Sequence, residues 1–140
     1  MLFGNKPKIK RIDFTPNLQT LIIGDIHGCF DHLEKLYNQF VSQIAPESNR
    51  KIISLGDLVD RGPDSQAVIE WFLSAPRGEE RLAVRGNHEI MFDEFIRSPS
   101  PQSPWLSVGG MQTLASYSNK RLPENPSQSD VTRTVQSIPK

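Results

Sequence analysis

Three short polar islands hold the residues whose types and spacing could do chemistry. They are Gly24-Asp25-Ile26-His27-Gly28, Gly56-Asp57-Leu58-Val59-Asp60-Arg61-Gly62 and Arg85-Gly86-Asn87-His88-Glu89. Asp25 and His27 are two apart, so at an extended strand end they project to one side, where an oxygen and an imidazole can chelate a divalent ion. Asp57 can bridge two ions, and Asn87 offers a neutral oxygen to the second. A paired-metal site lowers the pKa of a bridging water and clamps the attacking and leaving oxygens of an in-line displacement. Arg61 and Arg85 can hold phosphate oxygens through their fork of donors. His88 can protonate a leaving alkoxide, with Asp60 behind it to fix the imidazole. The inventory is that of a metal site that handles phosphate.

Bringing three chain-separated islands together is a task for the fold. Each follows a strand-like apolar run: Leu21-Ile22-Ile23, Ile52-Ile53-Ser54-Leu55, and Leu82-Ala83-Val84. Such continuous runs suit a parallel sheet buried on both faces. Between the runs, Leu33, Leu36, Tyr37, Phe40, Val41 and Ile44 recur at helical spacing, and Pro63 with Asp64 or Ser65 opens a second helix. Val68, Ile69 and Phe72 form the buried stripe of that helix, and Phe92, Phe95 and Ile96 mark a third. The order is β-α-β-α-β-α, and right-handed crossovers make the strands neighbours in a parallel sheet. Asp25 to Asp57 is 32 residues and Asp57 to Asn87 is 30, about what a βαβ unit needs. The islands then fall at the carboxyl ends of the strands, where open α/β sheets build their sites.

Beyond Ile96 the character changes. Six of the eleven prolines lie there, and Trp105-Leu106 and Met111 to Tyr117 are the last segments with apolar content to dock on a core. Residues 1–17 read as an N-terminal arm, 18–117 as the domain and 118–140 as a polar, loop-rich tail. Lys6, Lys8, Lys10 and Arg11 read as a solvated arm, and the zero net charge favours neither nucleic acid nor a membrane surface. Cys29 is the sole cysteine, which excludes an internal disulfide and suits a reducing compartment. No stretch approaches the roughly 20 apolar residues of a membrane span, and the start lacks the apolar region of a secretory signal. A cytoplasmic location is expected.

Alone, each island has a bland reading. An isolated Asp-x-His is an incidental loop, Gly-Asp before a helix is turn and cap, and Asn-His is commonplace. Three islands at three strand ends and regular intervals reverse that reading. His32 stays with it, as an exposed residue of the first helical turn, and Cys29 has no evident partner for nucleophilic work.

Gly-Asp-Ile-His-Gly, Gly-Asp-Leu-Val-Asp-Arg-Gly and Arg-Gly-Asn-His-Glu resemble the signature blocks of the phosphoprotein phosphatases, within the calcineurin-like metallophosphoesterases. The resemblance runs from about Thr20 to Phe95, with weaker support in Trp105 to Tyr117, where members often carry a Trp and a Gly-Gly pair. It implies the βαβαβα N-terminal half of the family's α/β sandwich of two sheets. Asp25, His27 and Asp57 would then hold one metal, and Asp57 and Asn87 a second, the ions being manganese or iron. His88 becomes the general acid with Asp60 as its partner, and Arg61 and Arg85 lie near the phosphate. The family completes its second metal with two histidines from a C-terminal half, but this sequence has only His27, His32 and His88. The second metal set is therefore expected to be incomplete, the second half missing, and an exposed sheet face open to self-association.

The function expected from the resemblance is hydrolysis of phosphoserine and phosphothreonine in proteins through a metal-activated water. Cleavage of bis(5'-nucleosyl) tetraphosphates is the alternative, and Glu89 after Asn-His leans against it because that relative usually has Asp there. A third reading is an inactive remnant that binds at most one metal.

Overall fold

The computed structural model describes residues 17–118 and 122–139, so the basic arm around Lys6 to Arg11 lies outside the described residues. Three strands, β1 (Leu18–Ile23), β2 (Asn49–Ser54) and β3 (Glu79–Ala83), form a parallel sheet in the order β1-β2-β3. Ile22 stands opposite Ile53, and Ile53 opposite Leu82. Between the strands run α1 (Phe30–Ser42) and α2 (Ser65–Leu73). After β3 come α3 (Asn87–Arg97), a 3₁₀ helix (Pro104–Val108), α4 (Gly110–Ser116) and α5 (Gln128–Ser137). The expected β-α-β-α-β-α order is present, with every crossover helix where its apolar spacing put it.

One core unites the helices with the sheet. Leu33 of α1, Val68 and Ile69 of α2, Phe92 and Phe95 of α3, Leu114 of α4 and Val131 of α5 join Ile23 and Ile52 in a single buried cluster. Leu36, placed in the α1 stripe by spacing, is exposed instead, one position off the line of Leu33, Tyr37 and Phe40.

Two expectations need correcting. Continuous apolar runs suit a sheet covered on both faces, whereas the resemblance implied one exposed sheet face, and the exposure follows the second. Only the central β2 is buried at both Ile52 and Ile53, whereas Ile22, Leu55 and Val84 are 57%, 59% and 53% exposed. Side chains alternate across a strand, and the helical cover lies on the Ile23 and Ile52 side. The second correction concerns 118–140, read as loop. Gln128–Ser137 is helical, and Ser127 and Asp130 form its capping box. The Ser127 N–H donates to Asp130 Oδ2 at 2.9 Å, and Ser127 Oγ accepts the Asp130 N–H at 3.3 Å. Val131, Val135 and Ile138, spaced four and three apart, turn one face to the core. No helix among the described residues is long and apolar enough to cross a membrane.

Candidate metal and phosphate site

The loops after β1 and β2 are laced together by their backbones. Ile26 and His27 N–H both donate to the Asp57 carbonyl, at 3.0 and 2.9 Å, and Gly28 N–H donates to the Leu58 carbonyl at 2.8 Å. Gly62 N–H returns a bond to the His27 carbonyl at 2.9 Å. To make these contacts the chain bends through the left-handed region at four residues with side chains: His27 (φ 46°), Asp57 (52°), Asp60 (73°) and Arg61 (68°). Each such residue costs on the order of 1–3 kcal/mol, so the surroundings must over-determine the conformation. All four belong to the set that spacing nominated. His27 therefore does not sit at an extended strand end. It meets Asp25 through a turn, with Nε2 3.7 Å from Asp25 Oδ2.

Glu89 is the group that holds the second loop. It is fully buried. Its Oε1 accepts Leu58 N–H at 2.7 Å and Val59 N–H at 3.3 Å, and its Oε2 accepts Asp57 N–H at 2.9 Å and Gly86 N–H at 2.8 Å. Four donors on one carboxylate offset its burial and fix the backbone that carries Asp57. The sequence reading used Glu89 only to separate substrates, and the geometry corrects that: both oxygens are occupied by backbone. The visible signal was its place three residues into α3, where a carboxylate caps a helix start. Gly86 is required beside it, since a Cβ there would lie 2.1 Å from Asp57 Oδ1.

The donor atoms converge. His27, Asp57 and His88 each offer one ligand atom, and these lie within 4.8 Å of one another. His27 Nδ1 is 2.8 Å from the Val59 carbonyl, which can only accept, so Nδ1 carries the proton and Nε2 keeps its lone pair. His88 Nδ1 is likewise 2.7 Å from Asp60 Oδ2, and the two rings meet edge to face at 4.7 Å. Arg61 spans the gap, with NH1 2.8 Å from His27 Nε2 and NH2 3.2 Å from His88 Nε2. A cation is thus seated where two imidazole lone pairs and an Asp57 carboxylate meet, and the donor set fits a divalent ion.

The remaining nominated residues are placed less centrally. Asp25 is mostly exposed at the mouth of the cluster. Asn87 opens α3, exposed and adjacent to His88. Arg85 gives NH2 to Asp93 Oδ2 of α3 at 2.8 Å. Two further residues reach the site from far along the chain: Trp105 in the 3₁₀ helix and Thr113 in α4 both bond to Asp60.

The chain is similar to several known proteins. The calcineurin-like phosphoesterase family matches residues 18–133. The chain is 40% identical over 89 residues to serine/threonine-protein phosphatase 1 of Salmonella typhimurium, a match covering 64% of this chain and 38% of that protein. It is 39% identical over 72 residues to the asymmetrical bis(5'-nucleosyl)-tetraphosphatase PrpE of Oceanobacillus iheyensis, covering 48% and 29%. A symmetrical bis(5'-nucleosyl)-tetraphosphatase of Erwinia tasmaniensis is 44% identical over 73 residues, covering 52% and 25%. The matched segment therefore spans well under half the length of each of these relatives.

Proposed function

The chain belongs to the calcineurin-like phosphoesterase family, and on that premise we propose that it serves metal-dependent hydrolysis of phosphoserine and phosphothreonine in proteins. The observation that carries this reading is the convergence of His27, Asp57 and His88 within 4.8 Å, with the backbone strained at His27 and Asp57. Asp25, His27 and Asp57 would hold one divalent ion, and Asp57 with Asn87 would reach a second. Manganese or iron bound there supplies Lewis acidity and a water of lowered pKa. His88, backed by Asp60, would take up a proton on Nε2 once Arg61 leaves it and hand that proton to the leaving oxygen. Arg61 leaves the imidazoles to hold the phosphate. The identity to the Salmonella phosphatase over 89 residues supports the choice of substrate.

A second reading, cleavage of bis(5'-nucleosyl) tetraphosphates, is favoured by the 44% identity to the Erwinia enzyme. Glu89 no longer argues against it, because its carboxylate serves the backbone. Turnover of an aryl phosphate with added manganese tests the common premise, and absence of metal-stimulated turnover would overturn it. A phosphothreonine peptide set against diadenosine tetraphosphate separates the two: faster release of phosphate from the peptide supports the first reading, and faster cleavage of the dinucleotide replaces it with the second.

A further inference from the structure

Asp60 is a fully buried carboxylate with both oxygens occupied. Oδ2 faces His88 Nδ1 at 2.7 Å and accepts the Trp105 indole N–H at 2.6 Å, while Oδ1 accepts the Thr113 hydroxyl at 2.6 Å. The backbone of Asp60 is held by the same groups. Its N–H points to Thr113 Oγ1 at 2.8 Å and Ser65 Oγ at 3.1 Å. An aspartate with a single side-chain partner can turn about its last torsion, which is broad. Bonds to both oxygens from two separate helices remove that freedom.

Neither helper serves a surface role. Trp105 is 2% exposed, with its ring 5.3 Å from Phe92 and 4.7 Å from Phe95. Gly110 lies against that ring so closely that a Cβ would come within 2.4 Å of it. Thr113 is fully buried in α4. A buried indole or hydroxyl needs a hydrogen-bond partner, and both side chains find theirs on one carboxylate, 45 and 53 positions back along the chain.

We propose that Trp105 and Thr113 are positioning residues for the His88–Asp60 pair. They lock the Asp60 carboxylate in one plane, so that His88 keeps Nδ1 on the carboxylate and Nε2 toward Arg61. As a statement about catalysis this rests on the reading of His88 as proton donor in phosphoester hydrolysis; as a statement about the imidazole it does not. A purely structural role for the two residues predicts that isosteres lacking the donor change stability and leave the imidazole and the reaction alone.

The test uses the 140-residue chain, metal-free with ¹⁵N-labelled histidine for NMR because Mn²⁺ would broaden the nearby ring signals, and with manganese for kinetics, beside the variants Trp105→Phe, Thr113→Val and Thr113→Ser. Ring-nitrogen NMR follows His88, assigned by loss of its signal in His88→Asn, and steady-state kinetics follow an aryl phosphate. In the unaltered chain the His88 Nδ1–H should give a downfield proton signal in slow exchange with water. Trp105→Phe and Thr113→Val should each speed that exchange and lower kcat about tenfold, the scale of losing a supporting bond behind a metal site, with KM and manganese uptake unchanged. Thr113→Ser should restore both readouts. The two losses combined should fall short of their product, because they act on one carboxylate. A proton signal and a kcat indifferent to both isosteres would overturn the proposal. If both isosteres unfold, the unaltered chain and Thr113→Ser decide it: rapid exchange in the unaltered chain contradicts the lock, and slow exchange kept by the serine supports it. A chain inert toward aryl phosphate whose His88 signal still responds to the variants upholds the lock and rejects the catalytic reading, so the two failures are told apart.

Discussion

The two ends of the sheet use similar side chains for opposite purposes. At the amino end, Glu79 and Arg81 of β3 meet Arg50 of β2, Tyr37 of α1 and Trp71 of α2. Glu79 Oε2 accepts the Tyr37 hydroxyl at 2.6 Å and Oε1 accepts Arg81 Nε at 2.5 Å, while Arg50 stands 3.4 Å away. The Arg81 guanidinium lies 3.3 Å from the Trp71 ring centroid and donates to the Trp71 carbonyl. Here one carboxylate meets two guanidiniums, and side chains rather than backbone donors satisfy it. At the carboxyl end the buried carboxylates are satisfied by backbone N–H groups, an indole and hydroxyls, as at Glu89 and Asp60. All the left-handed residues with side chains among the described residues lie at that end. Cation, carboxylate and ring hold one another at the amino end and stabilise the fold. At the carboxyl end supporting groups hold the loops, and the tips of His27 and His88 meet the Arg61 guanidinium rather than a buried carboxylate.

The comparison can be broken by swapping the expected readouts. The largest effect belongs to His88→Asn, which should lower turnover by about 10²–10⁴-fold, as loss of a general acid does, with manganese still bound. Next is Glu79→Ala. It leaves Arg81, 5% exposed, without its carboxylate, and should cost about 3–5 kcal/mol in urea denaturation, with turnover of the folded fraction unchanged. A catalytic loss in Glu79→Ala that matches its stability loss would mean that the two ends are not separable. Gly86→Ala drives a methyl group against Asp57 Oδ1. It should cost about 1–3 kcal/mol through overpacking and weaken manganese uptake as well, because the strain falls on a ligand.

The smallest effect concerns alkaline pH. Burial, then the hydrogen bond to Glu79, pushes the Tyr37 hydroxyl above its ordinary range. A group with a raised folded pKa stabilises fully below its unfolded pKa of about 10, and that contribution is lost as pH rises through the folded value. Tyr37→Phe should therefore cost about 1 kcal/mol at neutral pH and flatten the loss of stability above about pH 10. Burial raises the Tyr117 hydroxyl too, so some alkaline loss remains in the variant. A denaturation profile of Tyr37→Phe parallel to that of the unaltered chain would show that Glu79 does not depend on this bond.

Much of the carboxyl end was legible in the sequence because its chemistry sits in contiguous islands after apolar runs. Asp57, His27, His88 and Asp60 were nominated from residue type and spacing, and the helices between them from periodicity. The supports were hidden for two reasons. Trp105 and Thr113 act across 45 and 53 positions, a separation at which spacing carries no information. Glu89 stands inside an island, so its structural work was mistaken for a mark of substrate. The amino-end cluster was invisible because Tyr37 reads as an ordinary residue of the α1 stripe, and nothing in the spacing of Trp71, Glu79 and Arg81 ties them to it. The helix α5 was missed for a different reason. Its Ser127-x-x-Asp130 start and the spacing of Val131, Val135 and Ile138 were present, but the surrounding polarity outweighed them.

The central claim is that the carboxyl-end loops would hold a divalent ion through Asp57, with His88 working beside it. Calorimetric titration of manganese into the unaltered chain, Asp57→Asn and His88→Asn tests this most directly. The account predicts weak binding of a single ion to the unaltered chain and to His88→Asn, and none to Asp57→Asn. Binding that survives in Asp57→Asn and disappears in His88→Asn would contradict it.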